Sequence, residues 1–329
     1  MLAADTHYTV CFDIAMLLAC ILPILLLLLL ITKRRRTACL PPGPRRIPLL
    51  GSLPFISQGR GLQSWVLDTS VISHKIATVA LGPLELFVIN DFELAKDLFG
   101  RDAFTGRGCM SKFWLKHRGV DGKMFGIVGT DGSHWRRERR FGLRALKDLG
   151  FGKQSLEEII NIEVEEIIQN FLSEEEDFLL STNFNAPIIN MLWQIVAGHR
   201  FTPENKEGME ILESVTRMFE LFVYISVYPL KIMEMFPKST NYAEMVNILN
   251  TQKNYIIKTI EEHESTIDPE HPRDFVDMYL NEMKNNKNYS KHDLVLDLFD
   301  FLQAGTETSS TTLKWVVLYL TVYQDVQDK

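Results

Sequence analysis

Apolar positions change period several times along the chain, and each period predicts a different element. Ile14 to Ile31 is apolar without a break and includes six consecutive leucines, Leu25 to Leu30. At ~1.5 Å rise per residue such a run spans roughly 27 Å, about the hydrocarbon thickness of an endoplasmic reticulum bilayer. Asp5 and Asp13 precede the run, and Lys33, Arg34, Arg35 and Arg36 follow it. Positive charge stays on the cytosolic side, so the N-terminus is expected in the lumen and the body in the cytosol. A cleaved signal peptide would carry its basic region before a shorter apolar run. Residues 1–32 therefore read as a signal-anchor transmembrane helix.

Beyond the anchor the pattern breaks. Pro41, Pro42, Pro44, Pro48 and Pro54 with Gly43 form neither helix nor ladder, so residues 33–47 read as a basic stop and a stiff, extended spacer. Ile76 to Leu81 and Leu86 to Asn90 alternate as two short strands around Gly82-Pro83, and Asp91 is placed to cap a helix ending at Leu98. From Ser133 onward helical spacing prevails. Between Ser155 and Leu172, residues Leu156, Ile159, Ile160, Val164, Ile167, Ile168 and Phe171 fall on one stripe, with glutamates opposite. Further helices are expected at Asn185 to Val196, Lys206 to Val227, Asn241 to His263, Phe275 to Lys284 and His292 to about Tyr323. The fold expected for residues 48–329 is one domain, mainly α, with a small β-sheet near the N-terminus. The last residues, "YQDVQDK", open a helical turn with no closing Gly or Pro, so the chain reads as cut off.

A formal net charge of -7 argues against nucleic acid as a partner. The four cysteines, Cys11, Cys20, Cys39 and Cys109, form no C-x-x-C pair, which excludes a disulfide framework or zinc site. None occurs from Met110 to Lys329.

The chemistry concentrates in "DLFDFLQAGTETSSTTLKWVVLYL", Asp297 to Leu320. Six of the seven residues from Thr306 to Thr312 carry hydroxyl groups, Glu307 among them excepted, although Ser, Thr and Gly are indifferent or poor helix formers. Leu294, Leu298, Phe301, Gly305, Thr308 and Thr312 follow steps of three and four and so are expected on one side. The small residues Ala304 and Gly305 open that side to a flat or bulky group, with the Thr308 hydroxyl and the Glu307 carboxyl beside the opening. An alcohol and an acid there suit binding a diatomic molecule and passing it protons. A helix crossing at a small residue, with hydroxyls bonded back to i-4 carbonyls, explains the same spacing.

"AGTET" resembles the oxygen-binding helix of the cytochrome P-450 haem-thiolate monooxygenases. Other stretches are similar to that family in the same order. "PPGPRRIPLLGSLPFI" resembles the hinge after its membrane anchor. "FTGRG" supplies Arg107, "SHWRRERRF" supplies Trp135 and Arg139, and "PRDFVDMYL" resembles the segment before the oxygen helix in the microsomal, family-2-like branch. The resemblance covers the N-terminal two-thirds of a family member. It implies that Trp135 and Arg139, four apart on one helix face, hold a propionate of haem b, with Arg107 a second candidate. It implies that Thr308 and Glu307 relay protons to bound dioxygen, for which Ala304 and Gly305 leave room. NADPH-cytochrome reductase and cytochrome b5 follow as partners, with electrons from NADPH, an apolar substrate and the endoplasmic reticulum membrane as location. The basic face Arg136, Arg137, Arg140 and Arg144 reads either as solvated surface or as the reductase dock. "VTRMFELFVYISVYPLKIMEMFP", Val215 to Pro237, reads either as a substrate channel cover or as ordinary core with a surface turn at Pro229.

One departure is as informative as the matches. The family's E-x-x-R pair and cysteine-bearing loop are absent, and none of the four cysteines stands where the thiolate ligand would. The chain is thus expected to be a fragment of a monooxygenase, inactive by itself; the alternative is a non-catalytic, membrane-tethered binding partner.

Overall fold

The structure, a computed structural model, describes residues 23, 40–47, 51–52, 55, 69–81, 84–107, 112–173, 184–227 and 230–329. Of the apolar run Ile14 to Ile31 only Pro23 is included, so the expected anchor and its basic flank lie outside the described residues. Among those residues no helix is long and apolar enough to cross a membrane. The chain comprises two compact units, Met1–Phe104 and Thr105–Lys329.

In the first unit, α1 (Thr69–Ile72) leads into an antiparallel hairpin of β1 (Ile76–Leu81) and β2 (Leu84–Ile89), in the register Ile76↔Ile89 to Leu81↔Leu84. The second strand starts two residues earlier than its apolar alternation indicates. Val71, Ala77, Val79 and Leu81 form a small core with Leu86 and Val88. Helix α2 (Phe92–Phe99) begins as expected: Asp91 caps it by accepting from the Leu94 N–H at 2.9 Å. The described part of the proline stretch packs along β1, where Pro42 O accepts from Thr78 N–H and Pro41 O from the Thr78 hydroxyl, both at 2.8 Å. A Cβ on Gly43 would lie 2.1 Å from the Thr78 carbonyl oxygen, so only glycine permits this approach.

The second unit is helical: α3 (Lys112–Arg118), α4 (Gly132–Asp148), α5 (Gln154–Ser173), α6 (Asn185–Ala197), α7 (Lys206–Val227), α8 (Leu230–Met235), α9 (Tyr242–Thr266), α10 (Phe275–Asn285), α11 (Lys291–Val322) and α12 (Gln324–Gln327). Helix α11 is its axis, packing on α6, α7, α9 and α10. Ser290 caps it by accepting from Asp293 N–H. Ile189, Trp193, Val196, Met218, Leu221, Ile256, Tyr279, Leu294 and Leu298 belong to one contiguous core around it. Full burial of each aliphatic side chain contributes about 1.5–3 kcal/mol.

Two stripes differ from their sequence pattern. On α5, Glu163 lies inside, not opposite the apolar face, while Val164 and Ile168 are exposed. The buried carboxylate is held by Arg200 at 2.6 Å and by the amides of Asn190 and Gln194, which offsets the cost of burying a charge. On α7 and α8 the stretch Val215 to Pro237 is partly core and partly surface. Met218, Leu221, Ile225 and Met233 are core, whereas Ile232, Met235 and Phe236 are exposed; Pro229 lies outside the described residues.

Candidate functional site

Helix α11 changes character along its length. From Asp293 to Asp300 every residue is buried; from Ala304 onward one side opens to solvent. The stripe from Leu294 to Thr312 keeps to one side, since its steps of three and four average 3.6 residues, but its cover changes along the axis: Leu294 and Leu298 are buried and Thr308 and Thr312 exposed. Gly305 marks where α6 crosses: a Cβ there would lie 2.5 Å from Leu192 Cδ2 and 3.4 Å from Ile189 Cδ1. The glycine is thus a packing residue on the α6 side, while Ala304 and Thr308 share the open face.

The hydroxyl row is bonded to its own helix. Thr306 Oγ1 donates to Leu302 O at 2.6 Å, Thr308 Oγ1 to Ala304 O at 2.9 Å, Ser310 Oγ to Thr306 O at 2.8 Å, and Thr312 Oγ1 to Thr308 O at 2.8 Å. These i-4 bonds supply the partner each hydroxyl needs in a helix. On Thr308 they leave oxygen lone pairs directed to the open face.

Glu307 turns the other way. Its Oε1 accepts from Thr311 Oγ1 at 3.0 Å and its Oε2 from Thr216 Oγ1 at 3.4 Å. Thr216 accepts from Asn185 Nδ2 at 2.8 Å, and Asn185 Oδ1 accepts from Lys314 Nζ at 2.9 Å. Burial lowers the Lys314 pKa, an effect the Glu307 charge opposes. Asn185, Thr216 and Lys314 gave no sequence signal, because α6, α7 and α11 meet only in the folded chain. Thr311, at i+4 from Glu307, was readable from spacing alone.

On α4 the i, i+4 pair does come together. The Arg139 guanidinium lies over the Trp135 ring, 5.6 Å from its centroid. Trp135 is half-buried and Arg139 exposed. Among the described residues Arg139 has no carboxylate partner, and neither has Arg107. Arg107 is exposed on the segment where Gly106 sits beside Asp131, the residue preceding α4. The basic face divides: Arg137 is bound to Glu138 and covers the Tyr289 ring, and Arg144 approaches Glu282 at 3.9 Å. Arg136 and Arg140 are solvated.

An acidic group that spacing did not indicate lies between α4 and α11. Glu138, Asp293, Asp297 and Asp300 are all buried. Asp300 pairs with Arg118 and accepts from the Ile127 and Val128 N–H groups, both at 2.8 Å. Glu138 accepts from the Tyr279 hydroxyl at 2.9 Å. Both Asp297 oxygens lack a hydrogen-bond partner, and burial first, then Glu138, Asp300 and Asp293, push its pKa well above the carboxylate range.

A fit to haem is testable on three features of these residues. The Arg139 cation without an anion suits a propionate, and the small residue with a lone-pair-bearing hydroxyl on an open helix face suits the approach of a flat ring and a small gas. The four cysteines lie outside the described residues, so no side chain is assigned to the iron.

The family model described as Cytochrome P450 matches residues 41–329. The chain is 29% identical over 302 residues to farnesoate epoxidase of Bombyx mori, covering 88% of this chain and 60% of that one. It is 31% identical over 302 residues to cytochrome P450 2B2 of Rattus norvegicus, with coverage of 88% and 60%. To cytochrome P450 2C29 of Mus musculus it is 29% identical over 334 residues, with coverage of 96% and 66%. The chain thus spans 60% of the length of the first two of these curated relatives.

Proposed function

The chain belongs to the cytochrome P450 family, and from that premise we propose that it carries the propionate-side and oxygen-side elements of a membrane-bound haem-thiolate monooxygenase. When bound, the haem supplies the iron at which dioxygen is activated. Arg139, steered by the Trp135 ring beneath it, binds a propionate carboxylate through a charge-assisted hydrogen bond, and Arg107 is the candidate for a second. Ala304 keeps the open face of α11 low enough for the ring plane. Thr308 accepts a hydrogen bond on that face through its free lone pairs and gives up its own proton by turning away from Ala304 O. Glu307 is the acid that replenishes it. The observation carrying this reading is the unpaired Arg139 guanidinium stacked on Trp135.

Electrons come from NADPH through an acidic reductase, with cytochrome b5 a second donor, and Arg136 and Arg140 are exposed cations available to dock it. The substrate is apolar, in keeping with the exposed Ile232, Met235 and Phe236. The location is the endoplasmic reticulum membrane, N-terminus luminal and body cytosolic. Protease added outside sealed microsomes should therefore digest everything past Lys33, and protection of the body would overturn the orientation.

The test uses a chimera that appends the ligand-loop segment of a relative. Arg139→Ala should weaken haem retention by the loss of one charge-assisted bond, roughly 1.5–3 kcal/mol. Thr308→Ala should retain haem while diverting reducing equivalents from product to peroxide. Unchanged haem occupancy in Arg139→Ala and Trp135→Ala, or full coupling in Thr308→Ala, would remove those roles.

A further inference from the structure

We propose that Lys314, Asn185 and Thr216 are positioning residues for Glu307, forming a one-way hydrogen-bond chain that holds its carboxylate on the α6–α7 side of α11. The purpose of this chain rests on the monooxygenase reading; its existence does not. Every donor points toward the acid. The Lys314 ammonium donates to Asn185 Oδ1, the Asn185 amide to Thr216 Oγ1, and the Thr216 hydroxyl to Glu307 Oε2. A chain that begins on a cation and ends on an anion polarises each bond in the same sense, so its members reinforce one another. Lys314 is half-buried, and among the described residues the charge acting on it is that of Glu307.

The bonds are not equally strong. The first two measure 2.9 and 2.8 Å, whereas the last measures 3.4 Å, long for an O–H···O contact. On the other oxygen Glu307 keeps the Thr311 hydroxyl at 3.0 Å. The carboxylate is therefore held at one oxygen by its own helix and only loosely at the other by α7. The Thr216 contact is where it is released. Breaking it costs little and frees the side chain to turn toward Thr308, the next residue on α11. The amide in the middle does not pass protons, so the chain positions the acid, while proton exchange occurs after release. An acid that must be held at rest and mobile during turnover needs such a weak last link.

The experiment reads the Glu307 carboxylate directly. In the purified protein, the infrared difference between wild type and Glu307→Gln isolates that group's carboxylate band. Lys314→Met should shift the band, whereas Lys206→Met, an equal charge loss at an exposed position, should not. Thr216→Val should reproduce the shift and Thr216→Ser should restore the wild-type band, which keeps the test decisive where Lys314→Met fails to fold. An unmoved band in both Lys314→Met and Thr216→Val would overturn the chain whatever the protein catalyses. In the haem-loaded chimera, the same two variants should lower product formed per NADPH by about threefold to tenfold, less than loss of the acid itself. A shifted band with unchanged coupling would overturn the role in turnover. Failure to form any thiolate-type carbon monoxide spectrum would count against the monooxygenase reading alone.

Discussion

Replacing Asp300 should destabilise the second unit more than any exposed substitution, because three donors depend on one buried carboxylate. Its Oδ2 accepts from Ile127 and Val128 N–H at 2.8 Å each, and its Oδ1 pairs with Arg118. The side chains of Arg118 and Asp300 are 9% and 3% exposed, and the Arg118 guanidinium also covers the Phe299 ring at 4.8 Å. The turn that delivers the two N–H groups is built for this contact. Gly126 adopts φ +90, and a Cβ there would come within 2.5 Å of Asp300 Oδ2. Asp300→Ala strands a buried guanidinium, a loss of about 3–5 kcal/mol where one partner of a buried pair is removed. For a unit the size of Thr105–Lys329, each 1 kcal/mol moves Tm by about 2–4 °C, so a fall of roughly 6–20 °C is expected. Asp300→Asn should fall between wild type and Ala, since its oxygen still serves the two N–H groups while its amide meets Arg118 donor to donor. Circular dichroism melts give Tm, and limited proteolysis should reveal a new cleavage between 119 and 131 in Asp300→Ala. A Tm within about 2 °C of wild type, with no new cleavage, would refute this account of how the loop is held.

Asp297 should behave oppositely to its neighbour. Its folded pKa lies above the ordinary 3.8, so its stabilising contribution is complete below that value and is lost as pH rises toward the folded pKa. Asp297→Asn should therefore gain in Tm over wild type as pH rises above 3.8, and a constant difference would refute the assignment. His263 bonds Asp274 at 2.8 Å and Thr259 O at 2.7 Å. Burial lowers its pKa but the two bonds outweigh it and leave it above 6.5. The stabilisation is full below pH 6.5 and is lost as pH rises through the folded value, so His263→Gln should cost most in acid, with the deficit shrinking in melts above that range. Gly305→Val should lose about 1–3 kcal/mol against Leu192 and Ile189. Ala304→Val, on the open face, should stay within about 0.5 kcal/mol in denaturant titrations; equal losses would place both on the same side.

Local periodicity determined most of the elements, and it did so where one face of a helix had to be apolar. The Lys206–Val227 helix occurs with the bounds its pattern indicates, and the Asp91 cap and the Trp135–Arg139 pair form as spacing requires. Each depends on residues no more than four apart within one element, and such geometry is set by the helix itself. What covers α11 along its length was not legible. The stripe keeps to one side, and only the crossing of α6 decided that Gly305 faces Leu192 while Thr308 faces outward. The same holds for charge. Glu163 and Asp300 look like surface acids in sequence, because such an acid is buried where distant groups compensate it. Those groups, Arg200 for Glu163 and Arg118 with the 126–128 turn for Asp300, lie on other elements. The direction in which Glu307 turns was likewise decided by α6 and α7, whose Asn185 and Thr216 reach it only once three helices have packed.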